Sequence, residues 1–198
     1  METKELILKK ALDMFAKSGY DSVSIRDIAK AVNIKESSIY YHFKNKQDIL
    51  DSLVEKFESH MKELTDMLQA SMPDSHHVNA FSWDWLREFY FEQYLFDTFC
   101  NQMMRFMMIE QFHNENMRML YESYLFELPH KIQTQSFMML SKLGILSEQQ
   151  AIKVSNDFFA SITMLTFKYL LNGKLTKTKK EAFSEETFTY INRMFQED

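Results

Sequence analysis

The chain has 198 residues, a net charge of −5 and 45% hydrophobic content, enough to bury a full core in one or two small domains. Only 3 Gly and 2 Pro occur, which leaves little material for the turns of a sheet protein and favours long helices, so the expected class is all-α. The lone Cys100 excludes an internal disulfide, no 18-residue apolar run offers a membrane span, and Met1 leads into an amphipathic helix rather than a signal-like apolar core. A cytoplasmic protein without a membrane partner is expected.

The first helix is predicted over about 3 to 18, with Ile7, Ala11, Met14 and Phe15 inward and Gly19 as its stop. Ser24 can cap a second, short helix whose inward positions are Ile25, Ile28, Ala29 and Val32, the spacing of a helix with one buried face. Asn33 ends it, at a place that needs a residue tolerant of left-handed backbone angles. A third helix follows at about 35 to 42, where Ile39 shares a core with Ile34 and Phe43 while Lys35, Glu36, Ser37, Ser38, Tyr40, Tyr41 and His42 face outward. Two short helices joined by a tight turn make a helix-turn-helix, whose second helix enters the major groove of DNA. Asn45 can then cap a long helix from Lys46 to about 71, leaving a positive N-terminal end that suits phosphate. Its apolar row Leu50, Val54, Phe57, Met61, Leu64 and Leu68 is longer than a small domain needs, so this helix is expected to link head to body.

Residues 1 to 50 hold nine Lys/Arg against seven Asp/Glu, a net of +2, and the remainder carries −7. A modestly basic head on an acidic body is compatible with DNA binding, because the groove-facing patch sets the contact. Met72-Pro73-Asp74-Ser75-His76-His77 reads as the first clear loop. From about 79 to 128 the chain is crowded with Phe, Trp, Tyr and Met, including Phe81, Trp83 and Trp85, more than one buried stripe requires. Such helices must be buried, and Met suits surfaces that adapt to differently shaped ligands. Asn114 can cap the next long helix, which is expected to bend at Pro129 and stop at Gly144. Ser147-Glu148-Gln149-Gln150 is a capping box for a helix running to Asn172-Gly173. After a basic loop from Lys174 to Lys180, Ser184-Glu185-Glu186 is expected to start the last helix.

The motif set resembles the TetR family of bacterial regulators over the first fifty or so residues. The resemblance rests on Phe15-Ala16-Lys17-Ser18-Gly19-Tyr20, on Ser24 with Ile28-Ala29, and on Ser38-Ile39-Tyr40-Tyr41-His42-Phe43 followed by Lys44-Asn45-Lys46. Asn33 stands where the family usually has Gly, and Ser24 where Thr is more usual. The resemblance implies a DNA-binding head of three helices at 1–46 and a larger effector-binding and dimerisation body at 47–198, about nine helices in all. It implies phosphate contacts from Tyr40 and Lys46, with Ser24 and His42 adding to them, and base reading by Arg26, Lys35, Glu36, Ser37, Ser38 and Tyr41. The partners implied are double-stranded operator DNA, a hydrophobic small-molecule effector and a second copy of the chain, with no cofactor.

For the effector the resemblance points to Phe89, Tyr94, Phe99, Met103, Phe106, Met107, Tyr121, Tyr124, Phe137, Phe159 and Phe167, with Arg105 or Glu110 available for a charged end. For the dimer seam it points to Phe158, Ile162, Phe188, Ile191 and Phe195 in the last two helices, residues equally suited to the subunit core. The expected activity is repression relieved by ligand, with activation or ligand-independent regulation as the alternatives. A metalloenzyme is the rival class, because Glu110-Gln-Phe-His113 and Glu127-Leu-Pro-His130 are both Glu-x-x-His, the pair used by di-metal bundles. Their spacing of 17 residues and Pro129 argue against it. Cys100, set among apolar residues, reads as an inert buried thiol.

Overall fold

The computed structural model describes residues 2–71 and 86–194, and all regular structure among them is helical. The elements are α1 (Thr3–Ser18), α2 (Ile25–Val32), α3 (Glu36–Ile39), α4 (Lys46–Ser71), α5 (Leu86–Leu95), α6 (Thr98–Glu110), α7 (Glu115–Glu122), α8 (Leu128–Lys142), α9 (Glu148–Leu165) and α10 (Lys177–Met194). α5 is a π-helix throughout, and two further π turns, Ser123–Glu127 and Thr166–Leu170, follow α7 and α9. The predicted loop at 72–77, Phe81, Trp83, Trp85, Phe195 and the side chain of Phe89 lie outside the described residues.

The chain divides into two compact units. The first comprises residues 1–66 and 102–120, the second residues 67–101 and 121–198. In the first unit α1, α2, α3 and the start of α4 bury Ile7, Leu12, Phe15, Ile28, Ile39, Phe43, Ile49 and Phe57. The C-terminal part of α6 belongs to this core, because Phe106 stacks on Phe15 with ring centroids 5.4 Å apart. Gln102 hydrogen-bonds the Asp13 carboxylate of α1.

In the second unit α8 and α9 pack along each other, with Phe137 edge-on to Phe158 at 5.6 Å and Thr134 hydrogen-bonded to Ser155 at 3.0 Å. Phe183 of α10 meets Phe91 and Phe96 edge-on at 5.2 and 5.6 Å. The Asn101 amide donates to the Leu170 carbonyl at 3.0 Å, satisfying an acceptor in the last π turn.

Three boundaries differ from the sequence reading. α3 ends at Ile39, and residues 40–42 continue it as a turn closed by bonds from His42 and Phe43 to the Ile39 carbonyl. The aromatic stretch is interrupted at 96–97, where Asp97 Oδ1 accepts from the Cys100 amide at 2.8 Å and starts α6 without any Gly or Pro to announce it. Around Pro129 the helical run continues, as expected, and the irregularity there is the π turn Ser123–Glu127 just before α8. α10 starts at Lys177, seven residues before Ser184, because the Thr176 hydroxyl accepts from the Lys179 amide at 3.3 Å and Lys177 pairs with Glu181 one turn on.

Candidate nucleic-acid interface

Ser24 sits at the N-cap of α2 in extended conformation, and its hydroxyl accepts from the Asp27 amide at 3.2 Å. Asp27 closes the box by accepting from the Ser24 amide at 2.9 Å and from its hydroxyl at 2.5 Å. Those hydroxyl and amide bonds hold the Asp27 carboxyl below the usual carboxylate range. The cap aims the first turn of α2 outward, leaving Arg26 exposed while Ile28, Ala29 and Val32 fill the core. Ile25, expected inward, is half-buried. Asn33 takes the left-handed conformation at φ 62°, ψ 43°, so the chain turns abruptly into α3.

In α3 and the turn after it, only Ile39 and Phe43 are buried. Lys35, Glu36 and Ser37 are exposed, Ser38 and His42 half-buried. Tyr40 is 52% and Tyr41 87% exposed, the latter edge-on to His42 at 5.1 Å. Two large aromatics held in solvent beside hydrogen-bonding side chains make a surface that folding of this chain does not use. At the start of α4 the Asn45 side chain accepts from the Asp48 amide at 2.9 Å, as the sequence suggested, and Asp48 accepts in turn from the Lys44 amide at 2.8 Å.

Lys46 is placed differently from its neighbours. Its ammonium donates to the carbonyls of Tyr20 and Val23 at 2.9 and 3.0 Å and lies 3.9 Å from the Tyr20 ring centroid. The same loop is held from α6, where the buried Glu110 carboxylate accepts from the Tyr20 amide at 2.8 Å. Gly19, at φ 80°, makes this approach possible, since a Cβ there would stand 3.0 Å from the Glu110 carboxylate oxygen. Burial, together with Asp21, Asp51 and Glu110, raises the Tyr20 phenol above its usual range. Nothing in the sequence signals that residue 110 returns to residue 20, because the two are 90 positions apart.

The aromatic residues expected to line an effector site fall into both units. Met103, Arg105, Phe106 and Met107 belong to the first, where Met103, Phe106 and Met107 are fully buried and Arg105 is half-buried. Phe99 and Tyr121, both half-buried, belong to the second with Tyr94, Tyr124, Phe137, Phe159 and Phe167. Within that unit Tyr94 donates through its hydroxyl to the Tyr124 carbonyl, Phe126 lies 5.4 Å from Tyr121 and 6.4 Å from Phe167, and His130 lies 4.7 Å from Phe159.

Of the Glu-x-x-His residues, Glu110 is engaged by Tyr20, His113 and Glu127 are exposed, and His130 hydrogen-bonds Asn156 at 3.0 Å. Cys100 is fully buried, which pushes its thiol well above the ordinary range. Phe158, Ile162 and Ile191 are each 2% exposed, packed inside the chain, whereas Phe188 is half-buried. No described helix is long and apolar enough to cross a membrane.

Residues 7–53 match the family described as bacterial regulatory proteins, tetR family. The chain is 36% identical over 94 residues to the biofilm operon icaADBC HTH-type negative transcriptional regulator IcaR of Staphylococcus aureus, covering 48% of this chain and 46% of that protein. It is 40% identical over 72 residues to the HTH-type transcriptional regulator AcrR of Shigella flexneri, covering 36% of this chain and 34% of that one. The chain thus spans less than half the length of the curated relatives it matches. A solved transcriptional regulator from Saccharomonospora viridis, in complex with choline, shares the fold with a TM-score of 0.63 at 21% identity, over 96% of this chain and 95% of that one.

Proposed function

We propose that the chain, whose residues 7–53 match the TetR family of bacterial regulatory proteins, is a ligand-responsive repressor of that family. In this reading it binds a roughly palindromic operator as a homodimer and is released by a mostly apolar small molecule. The observation that carries the reading is the exposed face formed by Arg26, Lys35, Glu36, Ser37, Tyr40 and Tyr41 over a fully apolar support. Arg26 and Lys35 suit guanine edges, Glu36 a cytosine amine, and Tyr40, Ser24 and His42 the phosphates. Lys46 serves first as an internal brace of the loop at 19–23, because its ammonium already has two carbonyls and a ring around it.

A four-residue recognition helix offers few contacts, so specificity requires two of them on half-sites about one helical turn apart or more. With Phe158, Ile162 and Ile191 inside the chain, a seam between copies along α9 and α10 would use the exposed Ile152 and Met164 and the half-buried Phe188. In this reading the effector domain is the second unit. Repression is the sign supported by the negative regulator among the curated relatives.

Fluorescence anisotropy with duplex DNA taken from upstream of the protein's own coding region tests the reading. Saturable binding that exceeds a scrambled duplex by at least about a thousandfold is expected, with affinity falling steeply as salt rises. Equal affinity for both duplexes would remove the operator-binding reading altogether.

A further inference from the structure

We propose that Lys4, on the first turn of α1, is a further phosphate contact of the DNA interface, gripping the backbone beside the stretch of major groove that α3 enters. The proposal rests on the reading of the exposed face around α2 and α3 as an operator-binding surface.

The fold carries Lys4 to that surface from outside the helix-turn-helix. Its ammonium lies 5.5 Å from the centroid of the Phe43 ring, the buried residue that closes the recognition turn. Before Phe43 stand Tyr40, Tyr41 and His42, and directly after it the exposed Lys44. In a helix-turn-helix the N-terminal residues of the second helix meet the base edges, so its other end, where Phe43 stands, leads out to the phosphates that wall the groove. Lys4 is thereby set at the wall and not at the bases. Residues 7–53 carry the family match, and Lys4 stands outside it.

The charge on Lys4 is not used by the fold. Among the described residues no carboxylate pairs with its ammonium, whereas the adjoining Glu5 is paired with Lys56 of α4. A cation in the first turn of a helix is disfavoured by the positive end of the helix dipole, and a ring contact at an exposed site returns little. Such a lysine is expected where an anion arrives from outside.

The surroundings say which anion. The Lys46 ammonium is turned inward onto the Tyr20 and Val23 carbonyls at 2.9 and 3.0 Å, so charge contacts at this end of the interface fall to the ammoniums left outside. Lys44 is one, its backbone held in place by the bond from its amide to Asp48 at 2.8 Å. Lys4 is the other. Lys4 also borders a cleft of about 570 Å³ between α1 and α4, lined in addition by Glu5, Glu55 and Glu63. Those carboxylates repel phosphate, while residues 40–44 contain no acid, so the face open to DNA runs from the recognition turn to Lys4 and stops at the cleft. A single ammonium on a flexible stem suits a phosphate oxygen, which asks for charge and not for a planar fork.

Fluorescence anisotropy across a salt series, with the full chain on its own upstream duplex and on the scrambled one, tests the contact. Lys4→Met should reduce the slope of log affinity against log salt by about 1 for each bound chain and weaken both duplexes by the same factor. Lys4→Arg should keep the parent's slope. Lys177→Met, which removes the same charge from the first turn of α10, should leave the slope where it was, and thermal unfolding of Lys4→Met should match the parent's. An unmoved slope in Lys4→Met, an equal drop in Lys177→Met, or a loss confined to the upstream duplex would each overturn the proposal. The two duplexes also separate it from the reading it rests on. Equal affinity for both, with a slope that Lys4→Met lowers, sustains the phosphate contact and removes the operator; preference for the upstream duplex with an unmoved slope does the reverse.

Discussion

In the first unit the polar side chains that matter are outside: Arg26, Lys35, Glu36, Ser37, Tyr40 and Tyr41 face solvent, and Glu110 is the one buried polar or charged residue described there. In the second unit the arrangement is reversed, with Asn101, Gln133, Ser155, Thr166 and Thr187 all buried. The regularity of the backbone follows the same division. The helices of the first unit are ordinary α-helices, while the three π segments all lie in the second. A surface that reads a rigid, charged polymer needs donors and acceptors on a firm apolar base. In the proposed reading the second unit takes up a small molecule, and such a site needs a few polar groups inside an apolar lining. The two units therefore differ in where their specificity is stored.

The sharpest way to break that division is Phe106→Ala. Its sequence neighbourhood marks Phe106 as a pocket residue, whereas its ring stacks on Phe15 in the core of the first unit. If the stack holds the head, the substitution costs about 3–5 kcal/mol of stability, seen in denaturant unfolding, and operator binding goes with it. A variant that keeps the parent's stability but loses only effector response would return Phe106 to a pocket.

Glu110→Ala comes next. It strands the Tyr20 amide in a half-buried site, at a cost of about 1–3 kcal/mol, and loosens the loop that leads into α2. Operator affinity should drop with stability, and Glu110→Gln, which keeps an acceptor oxygen, should recover most of both. Equal behaviour of the Ala and Gln variants would show that the carboxylate's position is immaterial. Lys46 offers a related contrast. As an internal brace, Lys46→Met should lower the unfolding temperature and leave the slope of log affinity against log salt unchanged. As a phosphate contact it should lower that slope by about 1 and spare stability.

Arg26→Ala probes the outer face alone. The side chain is exposed and its loss should leave unfolding unaltered, while discrimination at one operator position relaxes by about 1–3 kcal/mol. A uniform loss across all operator variants would instead make Arg26 a backbone contact.

Where local chemistry decides the structure, the sequence was readable. Ser24, Asn33, Asn45 and Ser147 each act on the chain within three or four residues, and the structure places all four as their types require. The long row in α4 from Leu50 to Leu68 follows from helical spacing alone, though Val54 is only half-buried. What escaped are features set by distant partners. Glu110 returns to Tyr20, and Lys46 turns inward because two carbonyls of a preceding loop converge on it. The π segments have no residue signature, since a π turn is one residue of register and not a composition. In the body, periodicity identifies buried faces without saying which of them meet, so Phe158, Ile162 and Ile191 could not be told from seam residues until their burial was known.

The smallest effect concerns the cap that aims Arg26. Ser24→Ala removes the acceptor for the Asp27 amide and should cost about 1 kcal/mol. It also removes the hydroxyl that holds Asp27 below the usual carboxylate range. A carboxyl whose folded pKa lies below its unfolded value adds stability above the unfolded value and loses it as pH falls through the folded one. The parent's advantage over Ser24→Ala should thus be full at neutral pH and shrink in the acid range, while Ser24→Thr, keeping the hydroxyl, should follow the parent. A gap between parent and Ala variant that stays constant from neutral pH into that range would mean that the cap acts through the helix amides alone, with no share from the reciprocal bond to Asp27.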